Sequence, residues 1–205
     1  MDYSNIIIPI KIIMVGNLNV GKTSLLEKYI KNKNKSLPIK INNFTSYISE
    51  YVIKNEVQFE LKIWDTAGQE KYKSLTNIFT KDARIAILVY SIDNEESFNE
   101  LDYWLQLIKS ANDSNYMVLG VVANKSDLTS EKTIPNERGI EYANRIGAIF
   151  KSTSIINKDN DIDEFIDELF DKFYEHKLDV EAESSSTLNR GMIRYSNVNE
   201  KKCCE

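Results

Sequence analysis

Two kinds of hydrophobic pattern alternate along the chain and predict strands and helices in turn. Short apolar runs predict six strands, near residues 10–15, 46–54, 57–64, 85–91, 117–123 and 148–152. Apolar residues with the period of a helix predict five helices, near residues 22–32, 69–79, 95–110, 135–146 and 161–177. This alternation is typical of an α/β fold with a mostly parallel sheet.

The pattern also predicts how two parts of that sheet are built. Residues 85–90 and 117–122 are apolar on both faces, as in central parallel strands that helices cover on both sides. Residues 46–64 hold two strands with no helix between them and a turn at Asn55 and Glu56. The sequence therefore predicts a three-layer α/β fold with six strands, of which one hairpin strand is antiparallel.

The character of the chain changes after Lys177. Residues 178–202 contain Ser184 to Thr187, few large apolar side chains and no helical period. We expect one domain over residues 1–177 and a flexible tail over residues 178–205.

Composition narrows the chemistry. The net charge of -5 argues against nucleic acid as a partner. The only cysteines are Cys203 and Cys204 and the only histidine is His176, too few for a zinc site or a histidine-dependent triad. We therefore expect any metal to have oxygen ligands, which favours Mg²⁺. The apolar start, residues 6–15, is interrupted by Pro9 and Lys11 and predicts a buried strand, not a signal peptide.

The first chemical motif lies between a predicted strand and a predicted helix. Residues 16–23 read Gly-Asn-Leu-Asn-Val-Gly-Lys-Thr and match the phosphate-binding loop G-x-x-x-x-G-K-[ST] at each fixed position. Such a loop points backbone N–H groups at phosphate oxygens, and its lysine and threonine reach the outer phosphates and Mg²⁺. The predicted phosphate-binding residues here are Gly16, Asn19, Val20, Gly21, Lys22, Thr23 and Ser24.

A second motif follows the second hairpin strand, in the run Trp64 to Glu70. Asp65 lies at the end of a strand, where its carboxylate can hold a Mg²⁺-bound water. Gly68 lets its N–H approach a terminal phosphate. Gln69 can orient a water for in-line attack and is the predicted catalytic residue.

A third motif, residues 124–127, follows an apolar strand and reads Asn-Lys-Ser-Asp. The Asp127 carboxylate can accept hydrogen bonds from N1–H and the 2-amino group of guanine, and adenine has neither donor. Lys125 can lie along the base plane. Asn124, Lys125 and Asp127 are therefore predicted to bind guanine.

In order and spacing these motifs resemble those of Ras-superfamily GTPases. Residues 65–70, residues 98–108 and the two terminal cysteines resemble the Rab family, and the resemblance covers about residues 10–177 plus the last three. It implies a Ras-like P-loop fold, GTP and GDP as ligands with Mg²⁺, and slow GTP hydrolysis. It also implies a guanine-side loop at Thr153, Ser154 and Ile155.

The chain departs from the family pattern at two places near the phosphates. Leu18 occupies a loop position where the family usually has a small residue, so we expect either slow hydrolysis or a side chain that points to solvent. The family's metal-binding threonine aligns with Asn42, and Thr45 lies three residues later. Either residue is a candidate Mg²⁺ ligand, besides Thr23 and Asp65.

The resemblance further implies that the protein associates with membranes through a lipid anchor. Cys203 and Cys204 resemble a double geranylgeranylation signal, which would place the protein on the cytoplasmic face of an intracellular membrane. Implied partners are effectors, an exchange factor, a GTPase-activating protein and a prenyl-binding chaperone. We expect a monomeric switch in vesicle trafficking. The alternatives are a GTP-binding scaffold with little hydrolysis and a P-loop kinase.

Overall fold

The computed structural model describes residues 7–33, 39–42, 45–66, 80–112, 116–128, 130, 134–156 and 161–199. For residues 39–42, 45–46 and 181–199 it describes the backbone only. The described strands are β1 (Ile7–Val15), β2 (Ile39–Asn42), β3 (Thr45–Lys54), β4 (Val57–Asp65), β5 (Ile85–Ser91), β6 (Val118–Asn124) and β7 (Ile149–Ser152). The described helices are α1 (Lys22–Asn32), α2 (Glu95–Asn99), α3 (Leu101–Ser110), α4 (Asn136–Ile146) and α5 (Asp161–Asn199).

The strands form one sheet in the order β2-β3-β4-β1-β5-β6-β7. Strand β3 is antiparallel to both β2 and β4, and the other pairs are parallel. The β3–β4 turn at Asn55 and Glu56 has φ of 48° and 66°, the left-handed pair that suits the twist of a two-residue hairpin. The predicted fold class is confirmed.

Helices cover both faces of the central strands. Strand β5 is buried along its whole length, and its alternate residues belong to different cores. Ile85, Ile87 and Val89 pack with residues of α1 and α5. Ala86, Leu88 and Tyr90 pack with residues of α3 and α4 on the other face. A strand that is apolar throughout therefore indicates two covering layers, as the sequence predicted.

Three details differ from the predicted elements. The sheet contains the six predicted strands and a seventh, β2, which pairs with the start of β3. Residues 95–110 form two helices, because Glu100 between α2 and α3 has φ of -82° and ψ of 0°. The predicted helix at residues 69–79 lies outside the described residues.

Helix α5 continues to Asn199, beyond the predicted end of this helix at residue 177, and the flexibility predicted for residues 178–205 stays a prediction. Among the residues of this helix whose side chains are described, up to Val180, the last buried one is Tyr174, and Leu178 and Val180 are 42% and 47% exposed. An existing helix extends more easily than a new one begins, since adding a residue requires no new nucleation.

Candidate nucleotide-binding site

The loops that follow β1, β6 and β7 meet at the carboxyl edge of the sheet and enclose a cleft of about 460 Å³. This edge is where open α/β sheets bind ligands. The cleft has a size typical of small-molecule sites. It is lined by Leu18, Asn19, Gly21, Lys22, Thr23, Ser24, Asn124, Lys125, Asp127, Leu128, Ile155 and Ile156.

Two glycines allow the loop of residues 16–21 to curl beside its neighbours. Gly16 has φ of 147°, and a Cβ there would lie 2.1 Å from the Val89 carbonyl oxygen. Gly21 has φ of 95°, and a Cβ there would lie 2.3 Å from Nδ2 of Asn124. Both positions need glycine for conformation and for space. The close approach at Gly21 joins this loop to the end of β6.

Lys22 is the first residue of α1 and is only 3% exposed. Its Nζ donates to the carbonyl oxygens of Gly16 at 3.0 Å and Asn17 at 2.8 Å. A buried ammonium requires such acceptors because desolvation disfavours its charge. The loop therefore surrounds a fixed positive charge at the N-terminus of a helix, an arrangement suited to phosphate.

Two oxygen-bearing side chains meet beside this charge. The Thr23 hydroxyl donates to Oδ2 of Asp65 at 2.6 Å, although 42 positions separate the two residues. The next residue, Thr66, donates its hydroxyl to the Met14 carbonyl oxygen at 2.6 Å and holds the end of β4 against β1. A hydroxyl and a carboxylate at this separation suit a hard divalent cation such as Mg²⁺, which usually takes its other ligands from phosphate and water.

On the side of the cleft that the sequence predicts to bind guanine, Asn124 joins two loops. Its Nδ2 donates to the Val20 carbonyl oxygen at 2.8 Å, and its Oδ1 accepts from the Thr153 hydroxyl at 3.2 Å. Asn124 is 1% exposed, so its carboxamide is committed to these protein groups. It connects the phosphate loop to the loop after β7.

Asp127 and Ser154 form the next contact along this side. The Ser154 hydroxyl donates to Oδ1 of Asp127, and its oxygen accepts from the Ile156 backbone N–H at 3.1 Å. Ser154 is fully buried and Thr153 is 1% exposed, whereas Ile155 is 46% exposed and lines the cleft. The hydroxyl therefore orients a carboxylate that lines the cleft.

Lys125 lines the cleft and pairs with Asp93. Its backbone has φ of 63°, and its Nζ is 3.2 Å from Oδ2 of Asp93. Burial alone would raise the pKa of Asp93, but hydrogen bonds from Ser91 and Lys125, with the charge of Lys125, lower it below the ordinary value. The Asp93 carboxylate thus holds the lysine at the side of the cleft.

Of the remaining predicted site residues, three are described by the structure and four are not. Leu18 is 44% exposed and lines the cleft. Asn42 and Thr45 lie opposite each other in the β2–β3 pair. Both therefore stay predicted Mg²⁺ ligands. Gly68, Gln69, Cys203 and Cys204 lie outside the described residues, and the roles predicted for them stay predictions.

The structure adds two contacts that no motif indicated. Trp104 of α3 is 2% exposed, and its indole Nε1 donates to Oδ1 of Asn17 at 2.9 Å. Lys28 of α1 donates through Nζ to the Ser154 carbonyl oxygen at 2.8 Å. An apolar helical position and a helix-surface lysine carry no sequence signal for such contacts, because their partners are distant in the chain.

Comparison with known proteins gives a consistent family. The sequence matches the family model described as Ras family over residues 11–175. It is 36% identical over 168 residues to Ras-related protein Rab-3C of Bos taurus, covering 80% of this chain and 73% of that protein. It is 34% identical over 174 residues to Ras-related protein Rab-3 of Caenorhabditis elegans, covering 85% of this chain and 76% of that protein. It is 29% identical over 198 residues to Ras-related protein Rab-17 of Homo sapiens, covering 95% and 90%. With the fold and the cleft in place, these similarities show that the chain belongs to the Rab family of Ras-superfamily GTPases.

Proposed function

We propose that this protein binds GDP and GTP in the cleft with Mg²⁺, hydrolyses GTP slowly, and works as a membrane-anchored switch in vesicle trafficking. One observation supports nucleotide binding above the others. Lys22, Thr23 and Asp127 line a single cleft, and the Thr23 hydroxyl contacts the Asp65 carboxylate. A molecule with phosphates at one end and a guanine base at the other satisfies all three.

Asp127 provides the sharpest test of base choice. In Asp127→Asn an amide replaces one carboxylate oxygen, so the side chain can donate to the 2-oxo group of xanthine and no longer accepts both guanine donors. We expect GDP affinity to fall by on the order of a hundredfold or more and affinity for xanthosine diphosphate to rise. Equilibrium titration with both nucleotides measures this.

A matched control is Asp167→Asn, which removes an exposed carboxylate of α5 whose partner is Lys33. This variant should bind GDP as the original protein does. The proposal fails if the original protein binds no guanine nucleotide, or if Asp127→Asn retains its full preference for GDP.

Hydrolysis would use groups on both sides of the phosphates. Bound Mg²⁺ would supply charge stabilisation for the phosphoryl oxygens, with Thr23 and Asp65 as its protein-side ligands or hydrogen-bond acceptors. Lys22 would neutralise charge on the outer phosphates and Gln69 would orient the attacking water. Asn42 or Thr45 would complete the metal site when GTP is bound. Single-turnover cleavage of loaded GTP should therefore require Mg²⁺ and stop in EDTA.

One observation favours a second candidate, a GTP-binding scaffold with little or no hydrolysis. Leu18 lies at the mouth of the cleft with 44% of its surface exposed. A branched side chain there would narrow the approach of a water or of a partner's arginine to the terminal phosphate. Tight GTP binding without cleavage in the single-turnover assay would favour the scaffold.

The membrane anchor is proposed from the two terminal cysteines. Within the described residues no helix is both long and apolar enough to cross a bilayer. One lipid chain binds membranes marginally and two bind firmly, so Cys203 and Cys204 would each carry a geranylgeranyl group. Prenylation of the full chain should add two groups by mass spectrometry and direct it to vesicles. Cys203→Ser should add one group and release the protein on washing.

A further inference from the structure

Lys28 is a nearly buried lysine on the face of α1 that meets the base side of the cleft. Its side chain is 9% exposed, and its Nζ donates to the Ser154 carbonyl oxygen at 2.8 Å. It also pairs with Oδ1 of Asp161, 3.9 Å away at the first turn of α5. Three segments of the chain therefore meet at one ammonium group.

The carbonyl that Lys28 holds belongs to the residue that orients Asp127. The Ser154 hydroxyl donates to Oδ1 of Asp127, and Asp127 lines the cleft. The Lys28 contact restrains the Ser154 backbone, and through the Ser154 hydroxyl it also restrains the Asp127 carboxylate. A hydrogen bond from a charged donor to a carbonyl oxygen is stronger than one between two neutral groups. Its loss should therefore be measurable.

Lys28 also lies on the helix that carries the phosphate loop. It is six residues beyond Lys22, which is about 9 Å along a rigid α-helix. A contact from α1 to Ser154 therefore fixes the distance between the phosphate end and the base end of the cleft. Asn124 links the same two loops nearer the cleft, through Val20 and Thr153.

We infer that Lys28 is a positioning residue for guanine recognition: it holds the Ser154 carbonyl so that Asp127 faces the base at a fixed distance from the phosphate loop. This inference rests on the proposed function, since it assigns a role within that same cleft. It requires that loss of Lys28 weaken the selection of guanine and not only the stability of the fold.

The test uses the full chain and two nucleotides. Inosine diphosphate (IDP) lacks the 2-amino group from which Asp127 would accept a hydrogen bond. The ratio of the IDP to the GDP dissociation rate therefore reports how well Asp127 is placed. Lys28→Met keeps the length of the side chain and removes its charge and donors. We expect GDP to dissociate about tenfold faster, in line with the loss of one charge-assisted hydrogen bond, and IDP to change much less. The ratio should fall at least threefold.

Two further variants separate positioning from folding. Lys33→Met removes another lysine that caps the same helix and pairs with Glu50 and Asp167, away from the cleft. It should leave the IDP to GDP ratio unchanged even if it lowers the melting temperature. Lys28→Arg retains a charged donor and should restore most of the ratio.

Each outcome has a distinct meaning. A protein without substitutions that fails to bind GDP would refute the proposed function. Normal GDP binding with an unchanged ratio in Lys28→Met would overturn the inference, as would equal acceleration of GDP and IDP. If Lys28→Met does not fold, Lys28→Gln is measured instead, because its polar end suits the site while its side chain has no charge and is one bond too short to replace the lysine contact. An unchanged ratio in Lys28→Gln would then overturn the inference.

Discussion

The contact between Trp104 and Asn17 offers a quantitative test of how α3 supports the phosphate loop. The indole Nε1 donates to Oδ1 of Asn17 at 2.9 Å, and the Asn17 backbone carbonyl accepts from Nζ of Lys22 at 2.8 Å. One residue thus joins a buried helix to the lysine of the loop. Trp104→Phe removes the donor, and Asn17→Ala removes the acceptor.

The structure sets the expected size of each change. Trp104 is 2% exposed, so Trp104→Phe should lose about 1 kcal/mol for the hydrogen bond and about 1–2 kcal/mol for packing. Asn17→Ala leaves a buried indole N–H without its acceptor, which costs about 1–3 kcal/mol. In the double variant the hydrogen bond is lost only once. The coupling energy between the two changes should therefore be about 1 kcal/mol.

Urea unfolding followed by circular dichroism measures the four free energies of unfolding in the absence of nucleotide. If the bond also holds the loop around phosphate, each single variant should release GDP roughly fivefold faster, which corresponds to about 1 kcal/mol. Stopped-flow dissociation of a fluorescent GDP analogue checks this.

The other tryptophan provides the control. The ring of Trp64 stacks on Tyr47 with centroids 4.5 Å apart, and its indole nitrogen has no hydrogen-bond partner among the described residues. Trp64→Phe combined with Asn17→Ala should be additive within about 0.5 kcal/mol. A coupling below about 0.3 kcal/mol for Trp104 and Asn17 would refute the reasoning, because an energetically significant bond cannot be lost without coupling.

Three more predictions concern the cleft. The pKa of Asp93 is lowered in the folded state, so its pairing with Lys125 stabilises the fold above the unfolded-state pKa of about 4, and this stabilisation is lost as pH falls through the folded-state pKa. Asp93→Asn should accordingly lower the urea midpoint at pH 7, the deficit should shrink as the pH is lowered below about 4, and a deficit that stays constant with pH would contradict this account. Leu18→Ser should speed single-turnover GTP cleavage several-fold while GDP affinity stays nearly constant; an unchanged rate would show that Leu18 does not obstruct the phosphate. Gly16→Ala should destabilise the fold by at least about 1–3 kcal/mol, because its Cβ would meet the Val89 carbonyl oxygen at 2.1 Å, and a normal urea midpoint would contradict the contact.

Local rules were sufficient for much of the fold. The double-sided apolar run at residues 85–90 predicted a central strand, and β5 is buried from end to end. The turn at Asn55 and Glu56 predicted a hairpin, because a two-residue connection leaves no other pairing for its flanking strands. These features depend on neighbours in the chain, and the sequence states them directly.

The strand β2 and the length of α5 were not predictable in the same way. Strand β2 forms only because β3 presents an edge to pair with, and a short segment has little strand stability by itself. Helix α5 continues to Asn199 from a segment anchored through Phe165, Leu169 and Phe170 in the core. In both cases an element already formed, the edge of β3 or the preceding turns of α5, supplies what local propensity lacks.

The sequence by itself determined which chemical groups this protein offers to the proposed nucleotide and metal ion, since those groups occur in short motifs with fixed spacing. Only the tertiary structure decided what supports them. Lys28 reaches Ser154 across 126 positions and Trp104 reaches Asn17 across 87, and both contacts exist because the sheet order brings α1, α3 and the β7 loop around one cleft. A hydrogen bond depends on where two atoms lie in space, and for residues so far apart in the chain that position follows from the packing of the whole domain.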